Sequence, residues 1–315
     1  MKYAIISDVH GNITALEAVL ADAKAQNVDK FLFIGDYASN FPFGNEVVDC
    51  IRKVAHSSVV RGNGEDYFTN LRGKDPTTLT HEQFKPIYWG LRSLSAENLD
   101  YLINLPEICT LTDENFTIQL KHALNFFYGK SELDNPTMHY FNSSLLRRVM
   151  DVEPFTRAEL LVRAKAEALA NPTALEQIMA LPRGIYLFGH NHIQFHMEHE
   201  GRIFINPGSC GEPLDCDTRA AYTILSISPD GWEVEERRIS LDLNKLIESL
   251  HTSGYSAYTP MWSEIITLEI QTGKDFFLPF VIHLIETGKK MNDTQYPVSN
   301  EVWEAAIKTW DANKI

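Results

Sequence analysis

Five short, apolar, β-rich runs in this chain each lead into residues able to ligate a hard or borderline metal ion. YAII (3–6) leads to Asp8 and His10, KFLFIGD (30–36) to Asp36, and SSVVRGN (57–63) to Asn63. FTIQLKH (116–122) ends at His122, and GIYLFGHNH (184–192) carries His190 and His192. After the first run, Leu16, Val19, Leu20 and Ala23 recur at helical spacing, and a second helix is predicted near 44–54. The order β-α-β-α-β predicts an α/β sheet with a parallel portion. In open sheets of this kind ligands gather beyond the carboxyl ends of the strands, where residues distant in sequence converge. Singly, each residue has a plainer reading. Asp8 suits a helix cap, Asp36 a turn, Asn63 an Asx-turn between Gly62 and Gly64, and His122 a satisfied core histidine. The joint pattern is what points to a metal centre, because unrelated strands have no other reason to place such residues at the same end.

The rest of the chain frames that centre. Residues 80–105 are helical in pattern and end at Leu105-Pro106, and 131–181 are mostly helical. Short strands at RIFIN, YTILSI and WEVEERRI predict an antiparallel or mixed second sheet. Beyond about residue 250 the pattern is helical again and includes Trp262, Trp303 and Trp310. The expected organisation is one domain over 1–250 with a helical insertion at about 123–182. A C-terminal helical extension, 251–315, would pack on that body or on a second subunit. Asn12 or Thr14 is the expected cap of the first helix, with Glu17 completing a Thr-x-x-Glu box. Glu65 and Asp66 read as caps of the helix after Asn63.

Composition narrows the partners. The formal charge of −14 disfavours broad attraction to nucleic acid or an anionic membrane, and no basic, aromatic-rich strip is present. FFLPFVI (276–282) is too short to span a bilayer. The first ten residues read as a core strand and not as a signal peptide. Cys50, Cys109, Cys210 and Cys216 form no CxxC pair, which fits free thiols in a reducing cytoplasm; Cys210 with Cys216 as a metal pair is the weaker reading.

SDVHGN (7–12), GDY (35–37), GNGE (62–65), the lone His122, GHNH (189–192) and INPGSCGEP (205–213) occur in that order over residues 1 to about 245. As a set they resemble the calcineurin-like metallophosphoesterase superfamily, its small bacterial and archaeal phosphodiesterase-type members in particular. The resemblance implies a four-layer α/β/β/α sandwich and two divalent transition-metal ions, with manganese, iron, zinc, cobalt and nickel as candidates. Asp8, His10, Asp36 and His192 would hold one ion. Asp36, Asn63, His122 and His190 would hold the other, with Asp36 bridging. Asp36, Asn63 and His192 would stand closest to the chemistry. Imidazole, carboxylate and amide donors suit borderline ions, and the absence of thiolates argues against a structural zinc knot. Two ions bring a charge of about +4 against about −2 from the aspartates, a local anion trap inside an acidic protein. The implied reaction is in-line attack on phosphorus by a hydroxide bridging two metals.

Two positions depart from the family's pattern. Many relatives follow the metal-binding asparagine with a histidine that assists the leaving group; here Gly64 stands instead. General acid catalysis is typically worth about 10²–10⁴-fold, so its loss favours substrates with better leaving groups. His196 is a conceivable substitute acid, although a surface histidine is the plainer reading. His122 is followed by ALNFF where the family has a Gly-Ser-Pro type turn, and His139 is a weaker substitute ligand. The expected function is hydrolysis of a small, nucleotide-like phosphodiester. Phosphomonoesterase and dinucleoside polyphosphate hydrolase are the enzymatic alternatives, and a non-catalytic metal-binding regulatory protein is the alternative from another class. Homo-oligomerisation is left open.

Overall fold

The computed structural model describes residues 1–123, 157–159, 161–162, 172–295 and 297–312. His139 and most of the helical pattern expected over 131–181 lie outside the described residues.

The first sheet is built on β1 (Lys2–Ile6), β2 (Lys30–Ile34) and β3 (Ser57–Val60), which are parallel, with Tyr3 opposite Lys30 and Phe31 opposite Ser57. The second contains β4 (Ile108–Asp113), β5 (Phe116–Lys121), β6 (Gly184–Leu187), β7 (Gln194–His199) and β8 (Arg202–Pro207) in the order β4-β5-β6-β8-β7. Within it, β5, β6 and β8 are parallel. Two further strands, β9 (Ala220–Ser228) and β10 (Gly231–Ile239), complete the first sheet in the order β10-β9-β1-β2-β3.

This corrects one expectation. RIFIN lies in the second sheet, but YTILSI and WEVEERRI do not; β9 runs antiparallel to β1 and β10 antiparallel to β9. The reason is burial. β9 is buried along most of its length, so it needs cover on both faces, which the position beside β1 supplies. The edge strands β4 and β7 were not read from the sequence, since their mixed polar pattern lacks the apolar run of a central strand.

Alternation along the inner strands splits the core in two. Ala4, Ile6, Phe31 and Phe33 face a cluster with the helices, whereas Tyr3, Ile5, Leu32 and Ile34 meet Ile118, Leu120, Ile185 and Leu187 of the other sheet. The two sheets thus stack face to face with helices flanking them.

Helix α1 (Ile13–Ala25) is capped by Asn12, whose side chain accepts from the Ala15 N–H at 3.1 Å; Thr14 lies inside the helix, so the Thr14–Glu17 box does not form. Helices α2 (Gly44–Arg52) and α3 (Asn63–Leu71) follow β2 and β3. The helical stretch expected over 80–105 is broken into α4 (Lys85–Ser93) and α5 (Ala96–Ile103), because Ser95 caps a new start by accepting from Asn98 N–H at 3.1 Å. Further α-helices among the described residues are α6 (Pro172–Ala180), α7 (Leu243–Thr252), α8 (Tyr255–Tyr258), α9 (Pro260–Thr272), α10 (Phe277–Lys290) and α11 (Asn300–Thr309). Around Trp262, Phe280 and Trp303 the last three helices form a cluster of their own, while Ile266 and Ile270 join Phe41, Leu246 and Leu250 of the body. Among the described residues no helix is long and apolar enough to cross a membrane.

Candidate metal centre

Because β1, β2 and β3 are parallel, as are β5 and β6, each group delivers its carboxyl-end loops to one edge. The seven predicted side chains meet there. Asp8 Oδ1 lies 3.4 Å from His192 Nε2 and 3.9 Å from both His10 Nε2 and His122 Nε2. Asp36 Oδ2 lies 3.3 Å from His122 Nε2 and 3.9 Å from His10 Nε2. Asn63 Oδ1 is 3.0 Å from His122 Nε2 and 2.8 Å from His190 Nδ1. His10 Nε2 and His192 Nε2 face one another at 3.0 Å. Two groups of ligand atoms, Asp8–His10–His192 and Asp8–Asp36–His122, each fall within 4.8 Å of one another.

The outward sides of the imidazoles fix what points inward. His122 Nδ1 donates to the Ile34 carbonyl at 2.6 Å, and His192 Nδ1 to the Glu212 carbonyl at 2.7 Å. A carbonyl only accepts, so the Nδ1 atoms carry protons and each ring, when neutral, offers its Nε2 lone pair to the centre. His10 Nδ1 is held 3.1 Å from Ser39 Oγ. Lone pairs of imidazole, carboxylate and amide converging in a buried place repel each other unless positive charge stands among them. The donor set therefore fits divalent cations.

The electrostatics say the same. Burial alone would lower the His122 pKa, but Asp36 and Asp8 outweigh it and lift it to about 10. Burial likewise opposes the charge of Asp36, and His122 and His10 overcome it, holding that carboxyl well below the usual range. His10 is pushed down, first by burial and then by His192. The carboxylates thus stabilise positive charge at this point, whether carried by a proton or by a metal cation.

The backbone is strained in the same place. Asp8, His10, Asp36, His190 and His192 all adopt left-handed φ, at 52°, 52°, 56°, 74° and 58°. Such conformations cost non-glycine residues about 1–3 kcal/mol each and collect at functional sites. Cross-links between loops hold them: Asp8 N–H bonds the Gly35 carbonyl at 3.1 Å and His10 N–H the Asp36 carbonyl at 3.0 Å.

Several supporting residues escaped the sequence reading. Asn206 Nδ2 donates to the Gly189 carbonyl and to Asn191 Oδ1, and Ser209 Oγ donates to the Asp8 carbonyl, so the NPGS turn clamps two ligand loops together. Glu65 does more than cap α3. Its carboxyl accepts Gly62 N–H at 2.7 Å, Asp36 N–H at 3.0 Å and Tyr37 N–H at 2.9 Å, tying the β2 loop to the β3 loop. Burial and then Asp36 raise its pKa to about 7. Asp66 instead pairs with Arg61 at 3.2 Å. Glu65→Ala would strand three N–H groups, each worth roughly 1–3 kcal/mol when buried and unpaired, so we expect a loss of about 3 kcal/mol or more in urea unfolding. A loss under about 1 kcal/mol would remove Glu65 from this role.

Two alternatives lose ground. His196 Nδ1 bonds Glu236 Oε1 at 2.9 Å and does not line the cavity over the centre. Cys210 is buried with its thiol pKa raised first by burial, and neither it nor Cys216 enters a metal-capable cluster among the described residues.

Above the centre lies a cavity of about 370 Å³. His10, Asp36, Asn63, His190 and His192 form its floor; Tyr67 and Phe84, with Trp262 and Phe277 from the C-terminal helices, contribute aromatic surface to its walls. Residues beyond 250 therefore help to wall the site.

The sequence model for the calcineurin-like phosphoesterase superfamily domain matches residues 1–230. An uncharacterised protein of Methanocaldococcus jannaschii is 27% identical over 263 residues, covering 78% of this chain and 90% of that protein. The crystal structure of a metallophosphoesterase from Sphaerobacter thermophilus is similar with a TM-score of 0.58 and 26% identity, over 87% of this chain and 99% of that one. A hypothetical protein from Pyrococcus horikoshii shares the fold at a TM-score of 0.57 and 17% identity, over the same shares of 87% and 99%. The family uses divalent metal ions and acts on small phosphorylated substrates. With its two helix-flanked sheets and converging strand-end side chains, this chain belongs to the calcineurin-like phosphoesterase superfamily and is a metallophosphoesterase, a hydrolase of phosphoesters.

Proposed function

We propose that this chain hydrolyses small phosphodiesters of nucleotide type. Asp8, His10, Asp36 and His192 would hold one divalent transition-metal ion, and Asp36, Asn63, His122 and His190 a second. Bound there, such ions supply Lewis-acid stabilisation of charge on a phosphoryl group and a nucleophile at neutral pH. The chain's own residues do the rest. Asp8 and Asp36 bury two carboxyl groups at the centre, and the carbonyls of Ile34 and Glu212 fix the tautomers of His122 and His192. Asn63 adds a neutral oxygen. The cavity walls offer aromatic surface to a flat group. We take residues 1–250 as the catalytic domain and 251–315 as an extension that completes its cavity.

The observation that carries the diester preference is Gly64. It lines the cavity, and its N–H donates to Asp36 Oδ1 at 2.7 Å, yet it presents no side chain to protonate a departing alkoxide. Manganese-loaded protein is expected to cleave bis-p-nitrophenyl phosphate faster than a nucleoside 5′-monophosphate, whose ribose oxygen leaves poorly without an acid. Gly64→His should narrow that gap by roughly tenfold or more, a fraction of the full effect of a general acid. A gap unchanged by the substitution, or a monophosphate cleaved faster by the wild type, sinks the reading.

A further inference from the structure

Two buried acids in the cavity wall have no place in the metal centre. Glu269 lies on α9 and Asp275 in the turn before α10; both are almost wholly buried and both line the cavity, beyond the region matched by the family's sequence model. Glu269 Oε1 accepts Phe276 N–H and Phe277 N–H, each at 2.9 Å, and Asp275 Oδ1 accepts Leu278 N–H at 2.9 Å. These bonds satisfy open donors at the start of α10 and account for one oxygen of each carboxyl. Serine or asparagine at position 275 would cap α10 as well, so capping alone does not call for an acid there. Glu212, whose Oε2 accepts from Asn40 Nδ2 at 2.8 Å, adds a third carboxyl to the same cavity. Among the described residues no lysine or arginine forms an ion pair with any of the three. Burial, followed by Glu212 and Asp275, lifts the Glu269 pKa well above its usual range, and burial chiefly raises Asp275 to about 6. Buried carboxyls beside aromatic surface suit a flat ligand that brings N–H donors with it, whose binding favours the charged, accepting form of each acid.

We propose that Glu269 and Asp275 are specificity-determining residues that hold the donor edge of a nucleobase, guanine being the base whose ring N–H and exocyclic amine stand side by side. The proposal rests on the nucleotide reading of the site. Bases taken into enzyme pockets are read by hydrogen bonds to this edge and by stacking on aromatic side chains. Tyr67, Phe84 and the half-exposed Phe277, whose ring already stacks on Trp262 at 5.3 Å, are the cavity's aromatic surfaces for such stacking.

The test compares guanosine and inosine 3′,5′-cyclic monophosphates, which differ only in the 2-amino group, on the manganese-loaded full chain. A site built around a donor rejects the analogue lacking it strongly, so a guanosine preference of at least about tenfold in kcat/KM is expected, expressed mainly in KM. Glu269→Gln and Asp275→Asn keep an oxygen to cap α10 but set an amide donor against the ligand, and the preference should collapse toward one in each. Unfolding temperature, read in parallel, confirms that α10 remains capped. A wild-type ratio near one, or a ratio retained in both variants, overturns the proposal and leaves the nucleotide reading standing. If neither nucleotide is cleaved while bis-p-nitrophenyl phosphate is, both fall.

Discussion

Asp36→Asn is expected to cost on the order of 10³-fold in kcat/KM toward a phosphodiester, with bound metal falling below two ions per chain. The magnitude follows from the proposed position: removing a partner outside the ligand shell typically costs about 10–100-fold, and Asp36 is proposed to stand within it. Asparagine isolates the charge from everything else the residue does. It tolerates the left-handed φ of 56° better than other non-glycine residues. Its side-chain oxygen can still accept the Gly64 N–H that Asp36 Oδ1 takes at 2.7 Å. What disappears is the negative charge at Oδ2, 3.3 Å from His122 Nε2 and 3.9 Å from His10 Nε2. Metal content by plasma mass spectrometry and folding by circular dichroism separate loss of the ions from loss of the fold. Activity within tenfold of wild type at full metal occupancy would show that Asp36 is not shared between two ions.

The convergence of the seven candidate side chains was legible in the sequence because each sits just past an apolar run, and parallel pairing carries those run ends to one edge. What the runs do not encode is which sheet each strand joins. β9 reads as a short strand like β8 and is as buried, yet it pairs with β1 and β10 in the first sheet while β8 lies in the second. The residues around the ligands were hidden for a related reason. Glu65 reads as a helix cap three residues past Gly62; that it also holds the Asp36 and Tyr37 N–H groups depends on β2 and β3 being neighbours. Ser39 and the carbonyls of Ile34 and Glu212 have no signature at all, since any residue supplies a carbonyl. Glu269 and Asp275 lie more than 75 residues past His192 and reach the site only because α9 and α10 fold back over it.

The two glycines around Asn63 should separate sharply under the same substitution. A methyl group at Gly62 would lie 2.2 Å from Asp36 Oδ1 and 2.6 Å from the Asp36 main-chain nitrogen, far inside contact distance. Gly62 has φ −107° and ψ −173°, an extended conformation open to any residue, so the conflict is purely one of space. Its neighbours cannot give way cheaply: Asp36 is bound to Gly64 and His122, and the Gly62 N–H is itself held by Glu65 at 2.7 Å. Gly62→Ala must therefore displace the carboxylate or part the two loops. We expect a loss of at least about 10²-fold in activity, by the cost of misplacing a reacting group by an ångström, and roughly 1–3 kcal/mol in stability, as for other overpacked sites. At Gly64 the same methyl would meet Asp36 Oδ1 at 3.0 Å and Ser39 Oγ at 3.6 Å, which a shift of a few tenths of an ångström relieves. Gly64→Ala should keep activity within about tenfold, with ions still bound, because it spares every hydrogen bond of the centre. Equal loss in the two variants would mean that both glycines are demanded by packing. The expected difference means that only Gly62 is. Packing would then not forbid a side chain at position 64, and the absence of an acid there would belong to the chemistry of the leaving group.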